Sequence, residues 1–254
     1  MSEAAPVRDW DAATYDRVSA PQVEWGGELL ERLPLRGDET VLDAGCGSGR
    51  LTRLLAERLP RGRLLACDVA PSMVERAREA LPGAEVFQAD LRSLELAEPV
   101  DAIFSNAVFH WIRDHDALFA RLFAALRPGG RLVAQCGGRG NLERFHSYLA
   151  DLAGEEPFRR HLAGWQGPWR FSTPREAAAS LRRAGFVDVE CWLEPSELYP
   201  PEPREFLRVA CLGPHLERLP EELRGAFLDA VLARRTGPVL LDYVRLNIDA
   251  RRPR

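Results

Sequence analysis

The chain has no lysine. All 34 basic residues are arginine, so chemistry that needs a side-chain primary amine is excluded: no Schiff base, no pyridoxal attachment, no P-loop lysine. Cysteines are few, five at 46, 67, 136, 191 and 211, and none form a Cys-x-x-Cys pair. An odd number without metal-ligand spacing argues against a disulfide framework and a zinc site, and is read as reduced thiols in a cytoplasmic protein. No run approaches the ~20 apolar residues of a membrane span. The opening MSEAAPVRDW has no apolar core of a secretory signal. A basic excess is also missing. The net charge is −4, which disfavours nucleic acid, whose phosphates need a basic face. What remains is a 254-residue chain with 46% hydrophobic and 28% charged residues, the make-up of a folded globular protein with no membrane role.

Apolar runs and amphipathic stretches alternate along the first half. Helical spacing covers Trp10 to Leu33, in two pieces broken near Pro21. TVLDAGCGSGRL (40–51) reads as a short strand ending at Asp43, a glycine loop and a helix start. RLLACD (63–68) is a second strand ending on Asp68, followed by a helix opened by Pro71. AEVFQAD (84–90) and VDAIFSNA (100–107) are a third and fourth strand. A helix capped by Asp114 or Asp116 leads to a fifth, RLVAQCG (131–137). Strands alternating with helices predict a parallel sheet covered on both faces. After residue 138 the rhythm breaks. Thr173-Pro174-Arg175-Glu176 is a capping box, residues 186–194 alternate as a strand, and a last strand is predicted over 239–249. With no composition shift, the chain is read as one domain, 1–254. It has N-terminal helices over 1–35, and 139–171 and 196–236 as insertions capping one end of the sheet.

Ligands of open α/β sheets bind at the carboxyl ends of the strands, and these ends carry Asp43, Asp68, Asp90 and Asn106. Gly45-Cys46-Gly47-Ser48-Gly49 allows a turn of unusual φ and a close backbone approach, before a helix whose N-terminus favours an anion. The dinucleotide fingerprint needs a further glycine at position 50, which is Arg50. Asp68 is placed to accept the hydroxyls of a ribose, as in NAD or any adenosine cofactor; the competing role is a helix cap.

VLDAGCGSG, LLACD, FQADL, FSNAVFHW and LRPGGRL, in this order over about 36–137, resemble the class I S-adenosylmethionine-dependent methyltransferases. WDAATYDRVS and FSNAVFHWIRDH are similar to the small-molecule group of the trans-aconitate type. The resemblance implies a Rossmann-like, doubly wound seven-stranded sheet of order 3-2-1-4-5-7-6, with strand 7 antiparallel and helical cap insertions. It implies S-adenosyl-L-methionine as cofactor. Gly45, Cys46, Gly47 and Gly49 would wrap its methionine portion, with Asp43 near the ammonium. Asp68 would hold the ribose, with Val69 against the adenine, Asp90 accepting from the adenine amine and Leu91 beside it. Asn106 and Trp111 would meet the methionine end, and Tyr15 and Gln22 would close over the cofactor, plain helix packing being the alternative for the last two.

Methyl transfer from a sulfonium needs positioning and drying more than acid–base chemistry. A carboxylate acceptor needs no base; an alcohol or carbon acid does. His110, just after the fourth strand, is the candidate base, or else a packed histidine. His115 is expected at the start of the next helix, and His146 and His161 lie in the first insertion. Trp165, Trp169, Phe171 and Tyr199 are candidates for an apolar acceptor site or for the core of the cap. Arg139, Arg144 and Arg170 are candidates to hold an acceptor's charge. The expected function is methyl transfer to a small molecule at a carboxylate or hydroxyl oxygen. The alternatives are an NAD-dependent oxidoreductase and a protein that binds S-adenosylmethionine without transferring its methyl. Residues 138–170 match no acceptor-binding segment of the trans-aconitate group.

Overall fold

A computed structural model describes residues 14, 17, 20–234 and 237–254. Tyr15 lies outside the described residues, as does the side chain of Gln22. Helix α1, Ala20–Leu30, precedes β1 (Thr40–Ala44), α2 (Arg50–Glu57), β2 (Arg63–Asp68), α3 (Pro71–Ala80), β3 (Glu85–Gln88) and β4 (Val100–Asn106). A 3₁₀ turn, Phe109–Trp111, leads to α4 (His115–Ala125) and β5 (Leu126–Gly137). The strands are parallel through β5 and ordered β3-β2-β1-β4-β5-β7-β6. β7 (Leu241–Arg251) runs antiparallel between β5 and β6 (Val187–Leu198), as the methyltransferase resemblance implies.

The apolar runs become central strands because both faces are covered. Val41, Leu42, Ile103, Phe104, Leu132 and Val133 have no measurable exposure. One face packs against α4 and α7 (Pro174–Ala184) through Leu118, Phe119, Leu122 and Leu181; the other meets α1 and α2 through Leu29, Leu30 and Leu55. Each such side chain contributes roughly 1.5–3 kcal/mol by leaving water.

Local signals set several boundaries. Pro71 is in the first turn of α3, where its missing N–H costs nothing. Asp114 caps α4 by accepting from the Ala117 N–H at 2.9 Å. At α7 the Thr173 hydroxyl accepts from the Glu176 N–H (3.2 Å) and the Glu176 carboxylate accepts from the Thr173 N–H (2.7 Å).

Four expected strands have other limits. β3 stops at Gln88, so Asp90 lies beyond it in a turn where the Ser93 N–H bonds the Asp90 carbonyl. β5 begins at Leu126, which pairs with Val100, and an irregularity that skips residues 127–130 precedes the pairing of Arg131 with Ala102. β6 continues to Leu198, and the last strand runs Leu241–Arg251.

The segments after β5 and after β6 fold onto each other. From the first come α5 (Glu143–Ala153) and α6 (Arg159–Leu162); from the second come α8 (Pro203–Phe206), a π-helical turn (Leu207–Cys211), α9 (Gly213–Arg218) and α10 (Glu221–Ala233). Phe145, Leu149, Phe158, Phe206, Phe227 and Leu241 bury one another there. This cluster is separate from those of the sheet, so the cap has a core of its own above the carboxyl ends of β4 and β5.

Candidate active site

The strand order reverses between β1 and β4, and the registers bring Asp43 beside Ala66 and Phe104 at one level. A cavity of about 620 Å³ opens there, lined by Asp43, the loop 45–48, Asp68, Asp90 and Asn106. Its far wall is the cap, through Trp165, Pro168, Pro214, Glu217 and Arg218.

The glycine loop is tied to β2. The Gly45 and Cys46 N–H groups both donate to the Cys67 carbonyl (2.8 and 2.9 Å), and the Gly47 N–H donates to Asp68 Oδ2 (3.0 Å). Gly45 has φ +88°, and a Cβ on it would stand 2.2 Å from Val108. Gly47 has φ +55°, and a Cβ there would meet nothing within 4 Å. So Gly45 is required for packing, whereas Gly47 borders open space. Gly49 caps α2 at φ +87° and its Cβ position faces Ala77 of α3 and Leu81, which ends that helix; it is not among the residues that line the cavity. What needs glycine there is the approach of α2 to α3.

Asp68 Oδ1 accepts from the Ala70 N–H at 3.0 Å. The cap role read from the sequence is thus present, and each carboxylate oxygen keeps a lone pair for a further donor. Burial raises the Asp68 pKa against the pull of these backbone donors. Asp43 is buried beneath the loop and accepts from the Thr52 hydroxyl at 2.7 Å. Burial pushes its pKa up to about 7; the Thr52 bond opposes this and the Asp68 charge adds to it. Burial also lifts the Cys46 thiol far above the ordinary thiol range. Val69 is 37% exposed within the cleft, and Leu91 is buried against it. Asp90 is gripped by Arg92, whose Nε and Nη2 donate to its oxygens at 2.5–3.0 Å. This pairing holds its carboxyl below the usual range.

A second chamber of about 90 Å³ adjoins the first. Asn106, Ala107 and Trp111 line both. Two non-glycine residues in its wall have left-handed backbone, Ala107 (φ +62°) and Leu142 (φ +54°). Their N–H groups donate to the Gln135 and Asp242 carbonyls, each at 2.8 Å, which holds a conformation costing about 1–3 kcal/mol. The π-helical turn brings Ala210 and Cys211 into the same wall.

His110 lines the chamber, with Nδ1 accepting the Gly137 N–H at 3.1 Å. Burial drives its pKa to about 3, helped by His115. The neutral ring therefore carries its proton on Nε2 and is a donor there. His146 lines the chamber too, and burial lowers it to about 4, against the Asp242 charge. His115 is structural: its ring nitrogens bond the Phe109 carbonyl (3.1 Å) and the Ser172 hydroxyl (3.3 Å). His161 lines neither cavity.

Trp169 and Phe171 line the chamber and Trp165 the larger cavity, whereas Tyr199 is 56% exposed and lines neither. The arginines chosen by segment also lie elsewhere. Arg170 donates to the Arg113 carbonyl (2.6 Å) and the Ser172 hydroxyl (3.2 Å), and Arg139 and Arg144 line neither cavity.

Sequence reasoning missed Arg245 of β7. It is 7% exposed, donates from Nη2 to Glu194 (2.7 Å) and from Nη1 to Glu28 (3.3 Å), and lies 4.9 Å from the Trp25 ring centroid. It lines the chamber, and its Nε has no hydrogen-bond partner among the described residues. The alternation Arg245, Asn247, Asp249 was a signal for it. On a strand paired on both sides, the polar face is buried and its side chains become candidates for function.

The chain is similar to known proteins in sequence and in fold. A family model described as a methyltransferase domain matches residues 41–130. A trans-aconitate 2-methyltransferase of Methylobacterium nodulans is 35% identical, over 98% of this chain and 100% of the relative. One from an Azoarcus species is 35% identical over 87% of each. In fold, the chain is similar to phosphoethanolamine N-methyltransferase 2 of Haemonchus contortus, solved with S-adenosylhomocysteine. The TM-score is 0.63 at 18% identity, over 96% of this chain and 57% of that one.

Proposed function

This chain belongs to the trans-aconitate 2-methyltransferase family, S-adenosylmethionine-dependent enzymes acting on small molecules, and on that premise we propose that it methylates a carboxylate oxygen of a small organic acid. The cofactor's place is the larger cavity and the acceptor's is the adjoining chamber. The observation that carries this reading is the junction of the two: they share Asn106, Ala107 and Trp111, and neither histidine lining the chamber is a working base near neutral pH.

S-adenosylmethionine, when bound, supplies a methyl group on a sulfonium and a neutral sulfide leaving group. The residues present fit it. Gly47 borders unfilled space, the Asp68 carboxylate would accept from ribose hydroxyls, and Val69 and Leu91 would give the adenine an apolar bed. Asp90, shared with Arg92, would accept from the adenine amine. The buried Asp43 would offset the methionine ammonium, and the N-terminus of α2 would favour the carboxylate. Asn106, Ala107 and Trp111 frame the passage between the cavities.

An alcohol acceptor needs a base of appreciable strength. A ring with a pKa of about 3 or 4 does not supply one, whereas a carboxylate is already an anion. His110 instead presents an N–H, which orients an acceptor oxygen. The aromatic wall and the cap exclude water, so the anion meets the methyl group poorly solvated.

The test is incubation with methyl-labelled S-adenosylmethionine and a panel of organic acids that includes trans-aconitate. The expected product is a methyl ester, which releases labelled methanol in mild alkali. An alkali-stable labelled product, or no transfer to any acid, overturns the proposal.

A further inference from the structure

Resting on the reading that this enzyme methylates a carboxylate, we infer that Asn141 determines specificity for the acceptor: its side-chain N–H and the Nε2–H of His110 form a neutral donor fork on one oxygen of the reacting carboxylate. Asn141 lines the chamber and is 6% exposed. Its Oδ1 accepts from the Val244 N–H at 3.0 Å. An amide nitrogen cannot accept that bond, so the orientation of the amide is fixed and Nδ2 is left as a donor for the chamber. Nδ2 has no hydrogen-bond partner among the described residues, and neither has Nε2 of His110. A nearly buried donor without an acceptor is costly, and a carboxylate oxygen in the chamber relieves both donors at once.

Gly137 brings the two donors together. Its N–H donates to Nδ1 of His110 at 3.1 Å. A Cβ on it would stand 3.1 Å from Nδ2 of Asn141 and 2.8 Å from the Phe171 ring. Asn141 and His110 thus flank one residue that has no side chain of its own, and Phe171 stacks on the His110 ring at 29°. The chain bends to put Asn141 there. The Asn141 N–H donates to the Gly138 carbonyl at 3.0 Å, and the next residue, Leu142, has left-handed backbone with φ +54°. Non-glycine residues in that conformation cluster at ligand sites.

The neutrality of the fork suits the reaction. One carboxylate oxygen forms a bond to the methyl carbon as the bond from that carbon to sulfur breaks; the electron pair stays on sulfur, no proton moves, and the negative charge of that carboxylate is lost. A cation on it holds the ground state more tightly than the transition state, which slows the step. A neutral N–H bonds both a carboxylate oxygen and the carbonyl oxygen of the ester, so it orients the acceptor at a smaller loss. Burial keeps His110 neutral. Arg245, in the same wall, is already paired with Glu194 at 2.7 Å and Glu28 at 3.3 Å. The fork holds the oxygen that does not react, and the other faces the junction at Asn106, Ala107 and Trp111.

Asn141→Asp tests this, because Oδ1 still accepts from Val244 while the donor becomes an acceptor at nearly constant shape. The probe is trans-aconitate, or the best substrate of the acid panel. At saturating cofactor and pH of about 8, kcat/KM is expected to fall at least thirtyfold, mainly through KM, with S-adenosylhomocysteine affinity within threefold and Tm unchanged. The loss is expected to shrink as pH falls to about 6, since the new carboxyl donates again once protonated. A smaller loss overturns the proposal, as does one that stays constant over that range. With His110→Asn added, the loss is expected to be less than the product of the two single losses, because both donors hold one oxygen; a full product overturns the shared fork. If Asn141→Asp does not hold S-adenosylhomocysteine, isotope-labelled native protein supplies the test. The Asn141 side-chain amide proton signals are expected to move when trans-aconitate joins the S-adenosylhomocysteine complex, and unmoved signals overturn the proposal. Failure of methyl transfer to every acid sinks the carboxylate reading instead. Calorimetry of trans-aconitate with the S-adenosylhomocysteine complexes then decides the fork by itself: binding to the native protein and not to Asn141→Asp supports it, and equal binding, or none to the native protein, overturns it.

Discussion

The Gly137 N–H donates to Nδ1 of His110 across 3.1 Å. This one bond assigns the tautomer of a ring in the wall of the smaller chamber, and with it what the ring can do. A nitrogen occupied by a backbone donor is not free to take a proton, and the other nitrogen already carries one. In the function proposed above, His110 is a donor that orients the acceptor and not the general base.

It follows that kcat/KM for an acid acceptor has no histidine ionisation between pH 6 and 8. His110→Asn, whose Oδ1 replaces Nδ1 as acceptor for Gly137, is expected to keep S-adenosylhomocysteine affinity within threefold and to lower turnover about tenfold, the effect of losing one oriented donor of about 1.4 kcal/mol. A rate that falls on the acid side with a pKa near 6.5 in the native enzyme, and loses that dependence in the variant, restores the base.

Gly45 and Gly47 separate fold from binding. Gly45→Ala forces a Cβ into Val108 at a positive φ, and is expected to destabilise the protein by about 2–4 kcal/mol, seen as a lower Tm. Gly47→Ala meets no atom of the chain and is expected to cost about 1 kcal/mol of stability for its left-handed backbone. Its methyl group projects into the larger cavity, the proposed place of the cofactor, so S-adenosylhomocysteine affinity is expected to fall at least tenfold in calorimetry. Equal effects of the two variants on Tm and on affinity contradict this division.

Asp43 predicts a proton linkage. Its pKa is raised to about 7 from 3.8. Between these values the folded protein holds a proton that the unfolded chain has released, so this group's contribution to stability declines as pH rises from about 4 to 7. A bound ammonium favours the ionised carboxyl and lowers that pKa. Binding of S-adenosylhomocysteine at pH 6 is therefore expected to release a proton, measured by calorimetry in buffers of different ionisation enthalpy. Affinity rises toward pH 7 and levels above it. Asp43→Asn, which keeps an acceptor for Thr52, removes the proton release. Proton release by Asp43→Asn equal to the native value contradicts the assignment.

Much of the sheet was legible because its strands are covered on both faces and read as unbroken apolar runs ending in Asp43, Asp68 and Asn106. The glycine loop was legible as a loop, but the separate duties of Gly45, Gly47 and Gly49 were not, since they depend on Val108 and Leu81, far along the chain. The arginine of the chamber was hidden among 34. Only the insertion of β7 between β5 and β6 buries Arg245, Asn247 and Asp249 together, and strand pairing is a long-range event that local pattern does not report. The weak basicity of His110 was hidden for the same reason: it comes from burial and from Gly137, 27 positions away.

The central claim is that the strand-end carboxylates of the larger cavity hold the adenosyl cofactor, and Asp68 tests it most directly. Calorimetric titration of S-adenosylhomocysteine into the native protein and Asp68→Ala is expected to show a loss of about 2–3 kcal/mol, roughly thirty- to a hundred-and-fiftyfold, with Asp68→Asn between them and Tm still above assay temperature. Equal affinity in all three proteins would contradict the account and move the ribose elsewhere.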